Sequence, residues 1–172
     1  MTIQEYQKLS NRTCANLGLE KLNLTHMALG WHSEYAEIKS AEKNMDMINY
    51  GEELTDQIWY LSNYCTFRNL NMQDIILNRY ESILSLEEDL SNLSDIIKKY
   101  IAYNKEIDKQ YELDLLKRIF YRLLDLYRCN DLDFHKCLEN NINKLKVRFP
   151  EKFTEENALN RNLEQERKTL EK

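Results

Sequence analysis

Four acidic residues have the types and spacing for metal chemistry: Glu34 and Glu37 lie three apart, and so do Glu53 and Asp56. On helices each pair projects from one face, and two such faces can meet across a helical hairpin. Converging carboxylates repel one another unless cations sit among them. An all-oxygen donor set that leaves positions for water suits Mg²⁺ or Mn²⁺. A cation held in this way lowers the pKa of a bound water and neutralises phosphate oxygens. With 29 acidic residues in 172, such pairs also arise by chance on solvated helix faces. The neighbours separate these four from that background. Trp31 shares the first helix, and Asp56 is followed closely by Ile58, Trp59, Tyr60 and Leu61, where plain solvated charge is less expected.

The elements that must position these residues are helices. Only three Gly and one Pro punctuate a chain rich in Leu, Glu, Lys, Asn, Asp and Ile. Apolar periodicity predicts a short helix over 3–15, a second from Leu24 or Thr25 through Asn44, and a third beginning at Gly51 or Glu52 with an acidic first turn suited to the helix dipole. Further helices are expected from Met72 to Lys99 with a break near Ser85, from Ile107 to Cys129, and from Asp133 to Phe149, where Pro150 stops the run. The expected fold class is all-α, an antiparallel bundle in one domain over 1–150, followed by a charged helix or subunit-crossing arm over 151–172. Residues 64–132 read as an extension or a degenerate repeat. Glu53 to Tyr60 aligns with Asp114 to Tyr121, Glu34 and Glu37 fall on Asp89 and Asn92, and Lys117 takes the place of Asp56.

Composition narrows the function. A net charge of -5 disfavours a polymeric nucleic-acid partner, whereas a single nucleotide remains compatible through bridging metal ions. The polar N-terminal stretch and the lack of a long apolar run predict a soluble, cytoplasmic chain with no membrane contact. Cys14, Cys65, Cys129 and Cys137 show no CxxC pairing and read as reduced and mostly buried. His26, His32 and His135 form no metal-ligand spacing, and neither a phosphate-binding GxxxxGK[ST] loop nor a GxSxG elbow occurs. Trp31, His32, Trp59 and Tyr60 are candidates for stacking on a base, Tyr60 foremost because it lies four residues after Asp56 on the same face. Asn63 lies seven after Asp56 and could read a base edge by hydrogen bonds.

Two segments carry a family resemblance. AxGxxxEYAEI followed by GEELTDQIWYL resembles the ExxE and ExxD signature of the MazG-like superfamily, which includes dCTP pyrophosphatases and dimeric dUTPases. Asn141 to Pro150, with Glu151, Lys152 and Phe153, is similar to the NxxKLxxRYP segment found downstream in that superfamily. The resemblance covers 25–64 and 133–168 well and the middle only loosely. It implies an all-α nucleoside triphosphate pyrophosphohydrolase in which Glu34, Glu37, Glu53 and Asp56 bind Mg²⁺, or Mn²⁺ in its place. Glu37, with Glu34 beside it, would orient or deprotonate the attacking water, and Glu52 would stand behind the metal ligands. Asn141, Lys144 and Arg148 recur at helical spacing on one face and would contact the polyphosphate. Whether Lys98, Lys99 and Lys105 approach the substrate is left open. A homodimer or homotetramer is the implied assembly. Two other readings stand beside this one: a non-catalytic nucleotide sensor of the same shape, and a hydrolase of another phosphoanhydride such as a guanosine polyphosphate alarmone.

Overall fold

The computed structural model describes residues 1–76 and 85–171. Among them the chain is helical throughout: α1 (Ile3–Asn11), α2 (Glu20–Asn44), α3 (Met47–Phe67), α4 (Met72–Ile76), α5 (Leu86–Tyr103), α6 (Lys109–Cys129), α7 (Phe134–Arg148), α8 (Glu155–Leu159) and α9 (Leu163–Leu170). The all-α expectation therefore holds, and no described helix is long and apolar enough to cross a membrane.

Two long hairpins form the body. Helices α2 and α3 are joined by only Met45 and Asp46, so they must run antiparallel. Helices α5 and α6 pair in the same way after a short connection, with α2 against α5 and α3 against α6. Helix α7 lies on α3 beside α1, and α9 lies along α7. A continuous core runs through these contacts, with Leu54, Ile58 and Tyr64 of α3 meeting Met27 and Trp31 of α2, Leu93 of α5, Leu116 and Phe120 of α6, and Ile142 of α7. At about 2 kcal/mol for each fully buried large side chain, this shared core supplies most of the drive to pair the hairpins.

Two helix starts differ from the sequence expectation. Helix α2 begins at Glu20 rather than Leu24, behind a Leu19 that makes no side-chain cap. The order there comes from outside the helix, since Asn23 Oδ1 accepts from the Leu17 amide at 2.8 Å and Asn23 Nδ2 donates to Asn16 at 3.2 Å. Helix α3 begins at Met47 rather than Gly51, with Asp46 accepting from the Asn49 amide at 3.0 Å. Its first turn holds no acid, so Glu52 and Glu53 lie deeper in the helix than the dipole argument assumed. Gly51 is no boundary, and a Cβ there would meet Leu132 and Cys137 at 3.6 Å. The turn between α2 and α3 is made by Met45 at φ 55°, a left-handed position without glycine to announce it.

Ser85 caps α5 through a reciprocal bond with Glu88, at the expected break. Residues 77–84, expected to continue the helix from Met72, lie outside the described residues. The charged tail folds back on its own chain, because α9 buries Glu166 against α7. All four cysteines are free, with Cys14 and Cys65 buried, Cys137 half-buried and Cys129 exposed.

Candidate functional site

The α2–α3 hairpin turns one face of each helix toward a cavity of about 560 Å³. On α2 that face carries His26, Gly30, Glu34 and Glu37, at the three- and four-residue steps of one helical stripe. On α3 it carries Glu52, Glu53, Asp56 and Tyr60. Gly30 is what lets the two helices close here. A Cβ at that position would fall 1.9 Å from Tyr60 Cε1, so the Tyr60 ring occupies the space a side chain on α2 would fill.

Glu34, Glu37 and Glu53 converge, each offering a carboxylate oxygen within 4.8 Å of the others. Glu53 is buried, Glu34 is half-buried and Glu37 faces solvent. Burial, followed by the negative charge of Asp56, pushes the carboxyls of Glu34 and Glu53 above the usual range, and the two share a hydrogen bond. Without a cation, this pair therefore holds on to protons.

Asp56 is arranged differently, because cations and donors reach it from α7. Asn141 Nδ2 donates to Asp56 Oδ1 at 2.5 Å, and Lys144 Nζ bonds Asp56 Oδ2 at 2.6 Å and Glu52 Oε1 at 3.0 Å. Lys144 is 1 % exposed. Burial works to discharge its ammonium, but Asp56 and Glu52 outweigh that and hold its pKa above the ordinary lysine value. Asn141 is itself held from α1, where the Tyr6 hydroxyl donates to its Oδ1 at 2.8 Å.

At the far side of the cavity, Arg148 grips the buried carboxylate of Glu166 through Nε at 3.0 Å and Nη2 at 2.5 Å, and Arg161 Nη2 reaches the same carboxylate at 2.8 Å. Aromatic walls come from Trp59, Tyr60, Phe149 and Phe153. His26 packs edge-on to Tyr60 with ring centroids 5.9 Å apart, and burial lowers its pKa, which favours the neutral ring.

The sequence-selected residues divide by location. Glu34, Glu37, Glu53, Asp56, Tyr60, Lys144 and Arg148 all line this cavity. Asn141 stands behind it, its amide spent between Tyr6 and Asp56. Trp31 and Asn63 do not line it. Trp31 is a core residue, edge-on to Tyr64 and donating from Nε1 to Ser94 Oγ at 3.1 Å, because one residue beyond Gly30 rotates it out of the stripe. Asn63 is fully buried, donates to the Trp59 carbonyl at 2.9 Å and accepts from Asn11 at 3.3 Å. Lys98 and Lys99 pair with Asp95 on α5, and neither they nor the exposed Lys105 border the cavity.

Sequence reading missed His26, Phe149, Phe153, Arg161 and Glu166. His26 was within reach, since it precedes Glu34 by two helical turns on one face. Arg161 and Glu166 carry no such signal inside a segment where charges are dense.

In the second hairpin, the positions aligned with the first copy have a different chemistry. Asp89, which aligns with Glu34, is buried on α5 and receives Arg118 Nε from α6 at 2.8 Å. A guanidinium there occupies the neighbourhood in which the first hairpin gathers further acids.

Comparison with protein-family models, with curated proteins and with solved structures finds no match to this chain.

Proposed function

We propose that this chain is a divalent-metal-dependent hydrolase of phosphoric anhydrides. Within that class it acts as a nucleotide pyrophosphohydrolase, converting a nucleoside triphosphate to the monophosphate and pyrophosphate. The observation that carries the reading is the convergence of Glu34, Glu37 and Glu53 on one cavity, with Asp56 beside them and cationic side chains on the opposite wall. The MazG-like resemblance of these same segments supports it.

The donor set fits Mg²⁺ or Mn²⁺. It is all oxygen, one ligand faces solvent, and the raised carboxyls of Glu34 and Glu53 are what a cation site displays when protons stand in for the metal. A bound cation supplies an acidified water and charge neutralisation at the α-phosphoryl group. Glu37, the exposed member, would orient the attacking water and take its proton, while Glu34 fixes the geometry from the same helix. The water oxygen bonds to the α-phosphorus, the bond from phosphorus to the bridging oxygen breaks, and pyrophosphate departs with that oxygen. Lys144 holds Asp56 and Glu52 in place, and Arg148 offsets charge on the leaving group. Trp59 and Tyr60 offer the base an aromatic face. The assembly is a homo-oligomer, in keeping with Leu22 and Leu29 exposed one above the other on the outer face of α2.

The test is incubation of the purified chain with each ribo- and deoxyribonucleoside triphosphate and Mg²⁺, with products resolved by chromatography. Monophosphate plus pyrophosphate is expected from the wild type, and neither Glu37→Gln nor Asp56→Asn should release them above about a hundredth of that rate. Absence of turnover with every triphosphate and with guanosine polyphosphates would sink the hydrolase reading. A chain that still bound Mg²⁺ and nucleotide would then be a sensor.

A further inference from the structure

The cavity is electrically polarised. Its floor on α2 and α3 gathers acids, whereas the opposite wall is built by α7 and the segment after Pro150 and carries arginines. On that wall two guanidiniums share one carboxylate: Arg148 is bidentate on Glu166, and Arg161 bonds the same Oε2. Glu166 is 3 % exposed, so it is committed to this contact and not exchanging with solvent. Among hydrogen-bonded partners the count leaves one positive charge in surplus, with Asp56 and Glu52 the next acids whose charge reaches Arg161. It also leaves Nη1 of Arg148 and both Nε and Nη1 of Arg161 without a hydrogen-bond partner among the described residues.

Neighbouring charges make the contrast sharper. Arg167, on the same helix as Glu166, bonds both Asp46 at 3.1 Å and Glu171 at 3.0 Å, so there two acids answer one arginine. Lys144 is likewise answered twice, by Glu52 and Asp56. Around this cavity the surplus of cation over anion falls at Arg148 and Arg161.

We propose that Arg148 and Arg161, fixed by the buried carboxylate of Glu166, form an anion seat that takes the terminal phosphates of a polyphosphate substrate and retains the pyrophosphate it becomes. The inference rests on the hydrolase reading for the word substrate, but the seat is defined by its own charges. Planar guanidiniums with free N–H groups match phosphate oxygens in a way a lysine does not. Because Arg161 and Glu166 both come from the segment after Pro150, that segment is part of the binding site. Glu166 is a positioning residue, which holds the two cations together against their mutual repulsion and sets where the fork of donors points.

The test uses inorganic tripolyphosphate as the probe, titrated calorimetrically into the full chain with Mg²⁺ present. Arg161→Gln is expected to weaken its binding about tenfold, and Arg161→Lys to restore only part of that, since the charge returns without the fork. Arg167→Gln is the structural control: it cuts the tie between α9 and Asp46 without touching the surplus cation, and affinity should stay within about twofold. A wild type that does not bind tripolyphosphate, an unchanged affinity in Arg161→Gln, or an equal loss in Arg167→Gln would each overturn the seat. The hydrolase reading fails separately. If no nucleotide is turned over yet Arg161→Gln still loses tripolyphosphate, the seat stands and the reaction does not.

Discussion

At the scale of single residues, Glu34 and Glu53 set the pH behaviour. Their carboxyls are raised above 4.5 by burial first and by Asp56 second. A carboxyl whose pKa rises on folding stabilises the fold while it is protonated, so this contribution is complete below about 4.5 and is lost as pH climbs through the raised values. Metal-free protein should therefore lose unfolding free energy across the neutral range. If the proposed Mg²⁺ site forms, saturating Mg²⁺ should reverse the slope, because binding requires these groups deprotonated. Urea melts at several pH values, with and without Mg²⁺, measure this, and a metal-free stability that rose with pH through neutrality would contradict it. Lys144 gives a second test. It is buried between Asp56 and Glu52, so Lys144→Met leaves two acids without their cation and should cost roughly 3 to 5 kcal/mol in denaturant unfolding at neutral pH. A loss below about 1 kcal/mol would mean that solvent already screens the pair.

At the scale of elements, the packing of α2 on α3 turns on Gly30 and Tyr60. Gly30→Ala drives a methyl into the Tyr60 ring and should destabilise by about 2 kcal/mol, and Tyr60→Ala beside it should recover most of that loss. A double-mutant cycle by thermal melts reads the coupling, and strict additivity would show that the ring has other places to go. This contact also indicates why part of the site was legible in sequence. Three- and four-residue spacing on two helices brings Glu34, Glu37, Glu53 and Asp56 toward each other whatever the exact helix ends, and it places Tyr60 with them. Spacing defines a stripe but not where the stripe is covered. Asn63 continues the Asp56 stripe on paper, yet α1 and the turn after it close that end, with Asn11 on Asn63 and Thr13 Oγ1 accepting from Trp59 Nε1 at 3.0 Å. Asn141 and Lys144 were legible as neighbours of the site. Their engagement with Asp56 was not, because partner choice across 85 and 88 residues depends on how α7 docks.

At the scale of the whole molecule, the all-α class followed from composition, while the placement of the tail did not. A charged segment without apolar period reads as an arm, yet α9 docks along α7, burying Glu166 and tying Arg167 to Asp46. The outer face of α2 makes its own prediction. Leu22 and Leu29, 48 % and 69 % exposed, lie two turns apart, and sedimentation of the wild type should show a species larger than the 20.8 kDa chain. Leu22→Glu with Leu29→Glu should return it to the monomer mass, whereas a wild type already monomeric at micromolar concentration would remove the interface.

The relay from Tyr6 through Asn141 to Asp56 ties the first helix to the centre of the cavity across a sequence separation of 135 residues. Glu34, Glu37 and Glu53 sit on a local hairpin that can close early, but Asp56 receives its orienting partners only when α1 and α7 have both docked. Loop closure over such a span is slow compared with pairing adjacent helices. In a refolding experiment, helical signal should return first and uptake of the proposed Mg²⁺ only in the last kinetic phase, so that such an ion would report completion of the fold and not nucleate it.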